Sequence, residues 1–207
     1  MNQRTLLIAA LMLTTMFGFA KKVKLTIDGT VSPSQTTLYL IVNEDTANAQ
    51  VVPVNDARFS VDIKVDRDAF IRLHDSKKWP KSSQFVLIPD SRHITVDSQS
   101  GRITGSPMSQ RLQAALEVVQ QASPEGFHID VFSQDKAAWE EARERERSMR
   151  AQMEAQQLKM LLEVINDNRT NNIPAWMVFC FPNLVEPVLP GLTQDSPKWA
   201  SHPVLKK

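Results

Sequence analysis

Between Lys22 and Gly105 apolar and polar residues alternate in short runs, and few folds are open to a chain patterned this way. A period of two places successive side chains on opposite faces of an extended strand, so each run has one face to bury. Val23, Leu25 and Ile27 share such a face ahead of Gly29, and Phe59, Val61, Ile63 and Val65 share another. Leu38 to Val42 is denser and rich in β-formers; Phe70 with Leu73, Phe85 to Ile88, and Ile94 with Val96 extend the pattern. Val51 to Val54 contains Pro53, which has no N–H to give a ladder and so predicts an edge strand or a bulge. Asn55-Asp56, Asp75 to Lys78 and Pro89-Asp90-Ser91 are the turns between runs. Seven or eight short strands at this spacing predict a small antiparallel β-sandwich or a partly closed barrel.

After Gly105 the period changes. Ser106-Pro107 reads as an N-cap followed by proline at the first helical position, where a missing N–H costs nothing. Met108, Leu112, Ala115, Leu116 and Val119 then recur at helical spacing, which predicts a helix to about Gln121 with that stripe against the sheet. Ser123 to Gly126 ends it. A longer helix is expected from near Ser133 to about Asn168, roughly 50 Å at 1.5 Å per residue. Its apolar stripe is Trp139, Ala142, Met149, Met153, Met160 and Val164; its exposed face carries Glu141 with Arg145 and Glu146 with Arg150, one turn apart in the favourable order. A stripe extending past a small sandwich invites a protein partner or self-association through the long helix. Ile173 to Phe181 restarts helix with Pro174 in the first turn, packed back on the long one. The fold class is therefore α+β: a sandwich over 21–105, a long helical hairpin over 106–190, and a tail over 191–207, broken by prolines and open to disorder.

Met1 to Ala20 reads as a secretory signal. Arg4 precedes an apolar run, Leu6 to Phe19, and Gly18 with Ala20 supplies the small residues a signal peptidase needs. Cleavage after Ala20 is expected, leaving no stable membrane span; an uncleaved anchor is the alternative, although the run is shorter than the roughly 20 apolar residues of a spanning helix. The whole chain has 24 Lys and Arg against 23 Asp and Glu, and removing the signal takes Arg4 away, which brings the two signs into balance. A neutral chain without a basic face predicts no nucleic-acid or anionic-lipid partner. With one cysteine, Cys180, no internal disulfide forms even in an oxidising compartment.

The order Leu25-Thr26-Ile27-Asp28-Gly29-Thr30-Val31, Leu38-Tyr39-Leu40, Arg58-Phe59-Ser60-Val61, Phe85-Val86-Leu87-Ile88, Ile94-Thr95-Val96 and Ile103-Thr104-Gly105-Ser106-Pro107-Met108-Ser109 resembles domain of unknown function 4369 over about Lys22 to Gln121. That module is β-rich, follows signal peptides in secreted Bacteroidetes-type proteins and often precedes a thioredoxin-like domain. The chain departs from the family at Asp56-Ala57 and at Asp90-Ser91-Arg92, where glycines are common. The resemblance brings no catalytic residue with it.

Direct reading of the residues yields no catalytic, cofactor or metal site. No phosphate-binding glycine loop, G-x-S-x-G elbow or HExxH is present. Cys180 sits among Val178, Phe179 and Phe181 without a CxxC partner and reads as a structural thiol. His74, His93, His128 and His202 lie too far apart to suggest a metal site and read as surface or turn residues. Asp28, Asp66, Asp68, Asp75, Asp90 and Asp97 fall mostly at strand ends, where aspartate makes turns. Trp79-Pro80 falls in a loop, as a staple over the sandwich mouth or a carbohydrate or peptide contact. The expectation is a periplasmic or cell-envelope protein acting as a non-enzymatic binding or interaction module. The alternative is the accessory or truncated half of a thiol-disulfide (thioredoxin-like) system; a hydrolase would need two carboxylates converging in a pocket.

Overall fold

The computed structural model describes residues 22–75, 85–129 and 135–206. The expected signal sequence, the Trp79-Pro80 loop and the expected start of the long helix near Ser133 lie outside the described residues. Eight strands are described: β1 (Lys22–Thr30), β2 (Thr37–Val42), β3 (Gln50–Pro53), β4 (Arg58–Asp66), β5 (Ile71–His74), β6 (Phe85–Leu87), β7 (His93–Asp97) and β8 (Arg102–Thr104). They form a front sheet in the order β4-β1-β7-β8 and a back sheet in the order β3-β2-β5-β6. The two do not close on each other, so the sandwich stands and the barrel does not. Pro53 lies in β3, at the edge of the back sheet as its missing donor requires. Every pairing is antiparallel except β1 with β7, which is parallel. Periodicity reports which face is buried and not strand direction, so this pair was invisible in the sequence.

The inward residues are those the alternation marks. Leu25, Ile27, Phe59, Val61, Val65, Ile94, Val96 and Ile103 from the front sheet meet Leu38, Leu40, Val52, Ile71, Leu73, Phe85 and Leu87 from the back. Gly29 is where β1 and β7 come closest: a Cβ there would lie 2.8 Å from the Val96 methyl and collide with the Val96 carbonyl. Chain passes from back to front through Asn55 to Arg58, where Asp56 and Ala57 both have positive φ, 51° and 57°. Two left-handed central residues make a type I′ turn. Replacing Ala57 with Gly relieves a left-handed cost of about 1–2 kcal/mol against a backbone entropy cost of about 0.5–1 kcal/mol. The variant should therefore gain about 0.5–1 kcal/mol in urea denaturation, and a loss would contradict the turn assignment. No residue of Asp90-Ser91-Arg92 has positive φ, so the absence of glycine there carries no strain.

A second core lies behind the back sheet. β5 is buried at every residue and β6 likewise, so both faces of these strands are covered. Phe70, Val86 and Ile88 meet a helical layer made of α1 (Pro107–Gln121), α2 (Lys136–Asp167), α3 (Ile173–Cys180), α4 (Pro182–Val185) and α5 (Leu189–Thr193). α1 buries Leu112, Ala115 and Val119, as its stripe predicts. Its N-terminus is fastened to the sheet: the Ser106 hydroxyl accepts from the Ser109 N–H (3.1 Å), and the Ile88 N–H donates to the Ser109 hydroxyl (2.8 Å). Asp90 adds an acceptor for the Met108 N–H at 2.8 Å.

α2 matches the expected length closely, and Glu141–Arg145 and Glu146–Arg150 form as the spacing requires. Its buried residues, Gln157, Leu161 and Ile165, all lie in the second half. The hairpin is unequal. α3 has eight residues, of which Ile173 to Val178 are all buried, with the Trp176 ring 5.0 Å from that of Phe70. It is a plug between the long helix and the back sheet.

The tail, which its prolines left open to disorder, is folded over its described residues. Two short 3-10 turns, Lys198–Ser201 and Pro203–Lys206, put Trp199 (1% exposed) and Val204 (0% exposed) into the helical core. Prolines at 197 and 203 were read as breakers; here they set the start of compact turns. His202 is held between them: its Nε2 donates to the Asp68 carbonyl at 2.6 Å and its Nδ1 accepts from the Val204 N–H at 3.1 Å. Since an amide can only donate, Nδ1 must keep its lone pair, so the ring is neutral. Burial depresses the His202 pKa, opposed by the Asp68 carbonyl. The unfolded chain takes up this proton near its ordinary pKa of about 6.5, the folded chain only at lower pH. In that window the unfolded state binds more protons, so this contribution is present above pH about 6.5 and is lost as pH falls through the folded value. The urea midpoint should drop between about pH 7.5 and 5.5, and His202→Gln should flatten that drop. Identical pH dependence in both proteins would contradict it.

Candidate functional site

Helices cover the β5–β6 side of the back sheet's outer face, while the outer face of the front sheet carries two open depressions. Register places its outward residues in rows: Asp62, Thr26 and His93; then Ser60, Asp28 and Thr95; then Arg58, Thr30 and Asp97. These are the alternate positions to the buried Leu25, Ile27, Phe59, Val61, Ile94 and Val96, so one pattern builds both the core and this surface.

The rows are tied together by side chains. His93 Nε2 lies 2.5 Å from Asp28 Oδ1, which also accepts from the Thr95 hydroxyl at 3.1 Å. The Thr26 hydroxyl donates to Asp62 at 2.6 Å. Asp97 accepts from the hydroxyls of Ser100 (2.6 Å) and Thr30 (2.7 Å) and from the Gln99 N–H (3.1 Å). These donors, Ser100 foremost, hold its carboxyl below the usual carboxylate range. Asp28 and Asp97 share one shallow depression of about 1010 Å³, lined also by Thr26, Thr30, Ser60 and His93. His93 and Asp28 resemble part of a hydrolytic triad, but the Thr95 hydroxyl bonds the aspartate and not the ring. Among the described residues no hydroxyl or thiol hydrogen-bonds the other imidazole nitrogen, which is where a nucleophile would be activated.

A second depression of about 1080 Å³ adjoins the first along β1 and is lined by Lys22, Lys24, Lys64, Arg67 and Arg92 together with Asp62 and Asp90. Lys24 and Lys64 stand directly opposite each other across the β1–β4 pair. The expectation of a chain without a basic face needs correction at this point. Overall charge is balanced, yet three segments far apart in sequence bring five cations to one place. No run of Lys and Arg signals it, because alternation spaces the lysines by two and the strand pairing does the rest.

The other singled-out residues fall elsewhere. Cys180 is half-buried at the end of α3 against the helical core, consistent with a packing role. His74 and His202 are buried and not the surface residues expected; His74 lies 3.0 Å from Asp75, while His128 is exposed. Asp68 receives Lys198 at 2.7 Å and so helps to hold the tail. Asp66 stands opposite Lys22 in the β1–β4 register. Trp176 and Trp199 are core residues, whereas Trp139 is 44% exposed. Of the methionine stripe, Met153 and Met160 are half-buried within the chain and Met149 is 44% exposed. The middle of α2 is covered by the Pro124–Ile129 segment, whose Pro124 and Phe127 carbonyls accept from Arg150. Among the described residues no three His, Cys, Asp or Glu side chains converge as metal ligands, and no helix is long and apolar enough to cross a membrane.

No family model, curated protein or solved structure matches this chain.

Proposed function

We propose that the protein is a secreted, non-enzymatic binding module of the cell envelope, related to domain of unknown function 4369, and that the open outer face of the front sheet is its binding face. The observation that carries this reading is the unequal treatment of the two sheets. Apolar Phe70, Val86 and Ile88 behind the back sheet are sealed under helices and the tail, while the front sheet offers hydroxyls, carboxylates and cations around two depressions. Open depressions edged by fixed polar side chains suit recognition, because those groups are in place before a ligand arrives. Its carboxylates are engaged by neighbouring donors, which suits a rigid recognition surface better than acid-base chemistry. The thiol-disulfide alternative has only Cys180 to work with, and that thiol packs on the helical core behind the opposite sheet.

The test uses the full exported chain and washed cell envelopes. N-terminal sequencing should find Lys21 first. Sedimentation with envelopes should be strongly reduced by Ser60→Trp, which fills the open face from an exposed position, and unaffected by Ser148→Trp on α2. Both substitutions are at exposed sites and should alter stability by no more than about 0.5 kcal/mol. Equal sedimentation of both variants and the parent would overturn the assignment of this face.

A further inference from the structure

We infer that the front face takes an extended acidic polysaccharide, with its carboxylate, sulfate or phosphate groups held at the Lys24–Lys64 end and its hydroxyls along the Asp28–Thr95 rows. This rests on the reading of that face as the binding face and adds the ligand class. Five observations support it.

First, the cations are unspent. Lys22, Lys24, Lys64, Arg67 and Arg92 are exposed, and none takes part in an ion pair or side-chain hydrogen bond among the described residues. Of the carboxylates beside them, Asp62 accepts from Thr26, Asp90 accepts from the Met108 N–H through Oδ2 while its Oδ1 is buried without a partner, and Asp66 stands opposite Lys22 without forming an ion pair among the described residues. Second, the geometry is costly without a ligand. Like charges directly opposite on paired strands destabilise a sheet, and Lys24 faces Lys64 in this way. An anion placed between them removes that repulsion. Third, the two depressions share Thr26 and follow β1, whose nine residues span roughly 30 Å at about 3.3 Å each. A linear chain fits this track better than a compact ligand does.

Fourth, the lining disfavours other polyanions. Single-stranded nucleic acid is held by stacking successive bases on several aromatic rings, whereas the depressions are lined by two, Phe59, which is 5% exposed, and the His93 imidazole, which is tied to Asp28 at 2.5 Å. Anionic bilayers are held stably when apolar groups insert beside the basic ones, and the large exposed hydrophobics, Val51, Val118, Trp139 and Met149, line neither depression. A protein partner would want large exposed aromatic or apolar anchors, and none of those four residues lines either depression. Fifth, the other half is rich in acceptors. The hydroxyls of Thr26, Thr30 and Thr95 give their protons to Asp62, Asp97 and Asp28 and keep lone pairs, and with Ser60 and the carboxylates of Asp28 and Asp97 they match the hydroxyls of a sugar chain.

Heparin oligosaccharide is the probe, titrated into the full mature chain by calorimetry at two salt concentrations. Lys24→Gln/Lys64→Gln should weaken binding at least about tenfold and make the dependence of log K on log salt shallower by roughly one for each cation removed. Its urea midpoint should be equal to or above the parent's, since an opposed pair of like charges is gone. Arg143→Gln/Arg147→Gln on α2 changes net charge equally and should leave binding within about twofold. Arg92→Gln, outside the strands, provides the same reading if the double variant folds poorly. The inference is overturned if the parent does not bind heparin at low salt, or if the α2 control loses as much affinity as the double variant. It is also overturned if single-stranded DNA of equal length, or phosphatidylglycerol vesicles, are bound as tightly as heparin through the same lysines. Should Ser60→Trp still abolish envelope binding when heparin fails, the binding face survives and only the ligand class falls.

Discussion

Replacing Trp199 with Ala should cost about 3–5 kcal/mol, the range for emptying a fully buried aromatic site, and so a large share of the roughly 5–15 kcal/mol that a domain has in total. The residue is 1% exposed and packs in the cluster that includes Phe70, Trp176 and Val204. Its loss would loosen the turn that carries His202, whose ring lies 4.7 Å from that of Phe70. The Nε1 donor of Trp199 is buried with no partner, so Trp199→Phe removes an unmet donor and should cost less than Trp199→Ala. Urea denaturation followed by circular dichroism separates the three proteins. A Trp199→Ala variant within about 1 kcal/mol of the parent would mean that the tail is an ornament on the fold and not part of its second core.

Breaking the Glu44–Arg72 pair should be comparably severe. Arg72, on β5, is 1% exposed and grips Glu44 with two hydrogen bonds, Nε to Oε1 at 2.8 Å and Nη2 to Oε2 at 2.9 Å. Glu44 reaches it from a left-handed conformation, φ 59°, at the end of β2. Glu44→Gln leaves a buried guanidinium without its counter-charge and should cost about 3–5 kcal/mol. The double variant Glu44→Gln/Arg72→Met should recover much of that loss, because the buried charge is then gone. Strict additivity of the two single substitutions would show that the charges do not act as a pair.

The parts of the fold that were legible in the sequence are those set by local periodicity and caps. Alternation at Leu25-Ile27 and Phe59-Val65 located the sandwich interior, Pro53 located an edge, and Ser106-Pro107 located the start of α1. What depended on distant pairing was hidden. The parallel β1–β7 register, which places His93 beside Thr26 and brings its ring to Asp28 from 65 residues away, leaves no trace in spacing. Composition misled in two places. Charge balance concealed the segregation of Lys22, Lys24, Lys64, Arg67 and Arg92, because net charge is blind to where strands meet. Prolines in the tail suggested disorder, because proline ends long helices, yet a short turn that buries one tryptophan needs no long helix. An available signal was the tail's own Trp199, Val204 and Leu205, apolar residues in a stretch that from Thr193 onward is otherwise polar, small or proline.

The claim on which the functional account depends is that recognition occurs on the open face of the front sheet. Amide shift mapping of the uniformly labelled full chain, titrated with heparin oligosaccharide, tests it most directly. The account predicts that the largest shifts fall within Lys22–Thr30, Arg58–Arg67 and Ser91–Asp97, with α2 and the tail unmoved. Shifts centred on Lys136–Arg150 would place the contact on the charged helix and contradict it.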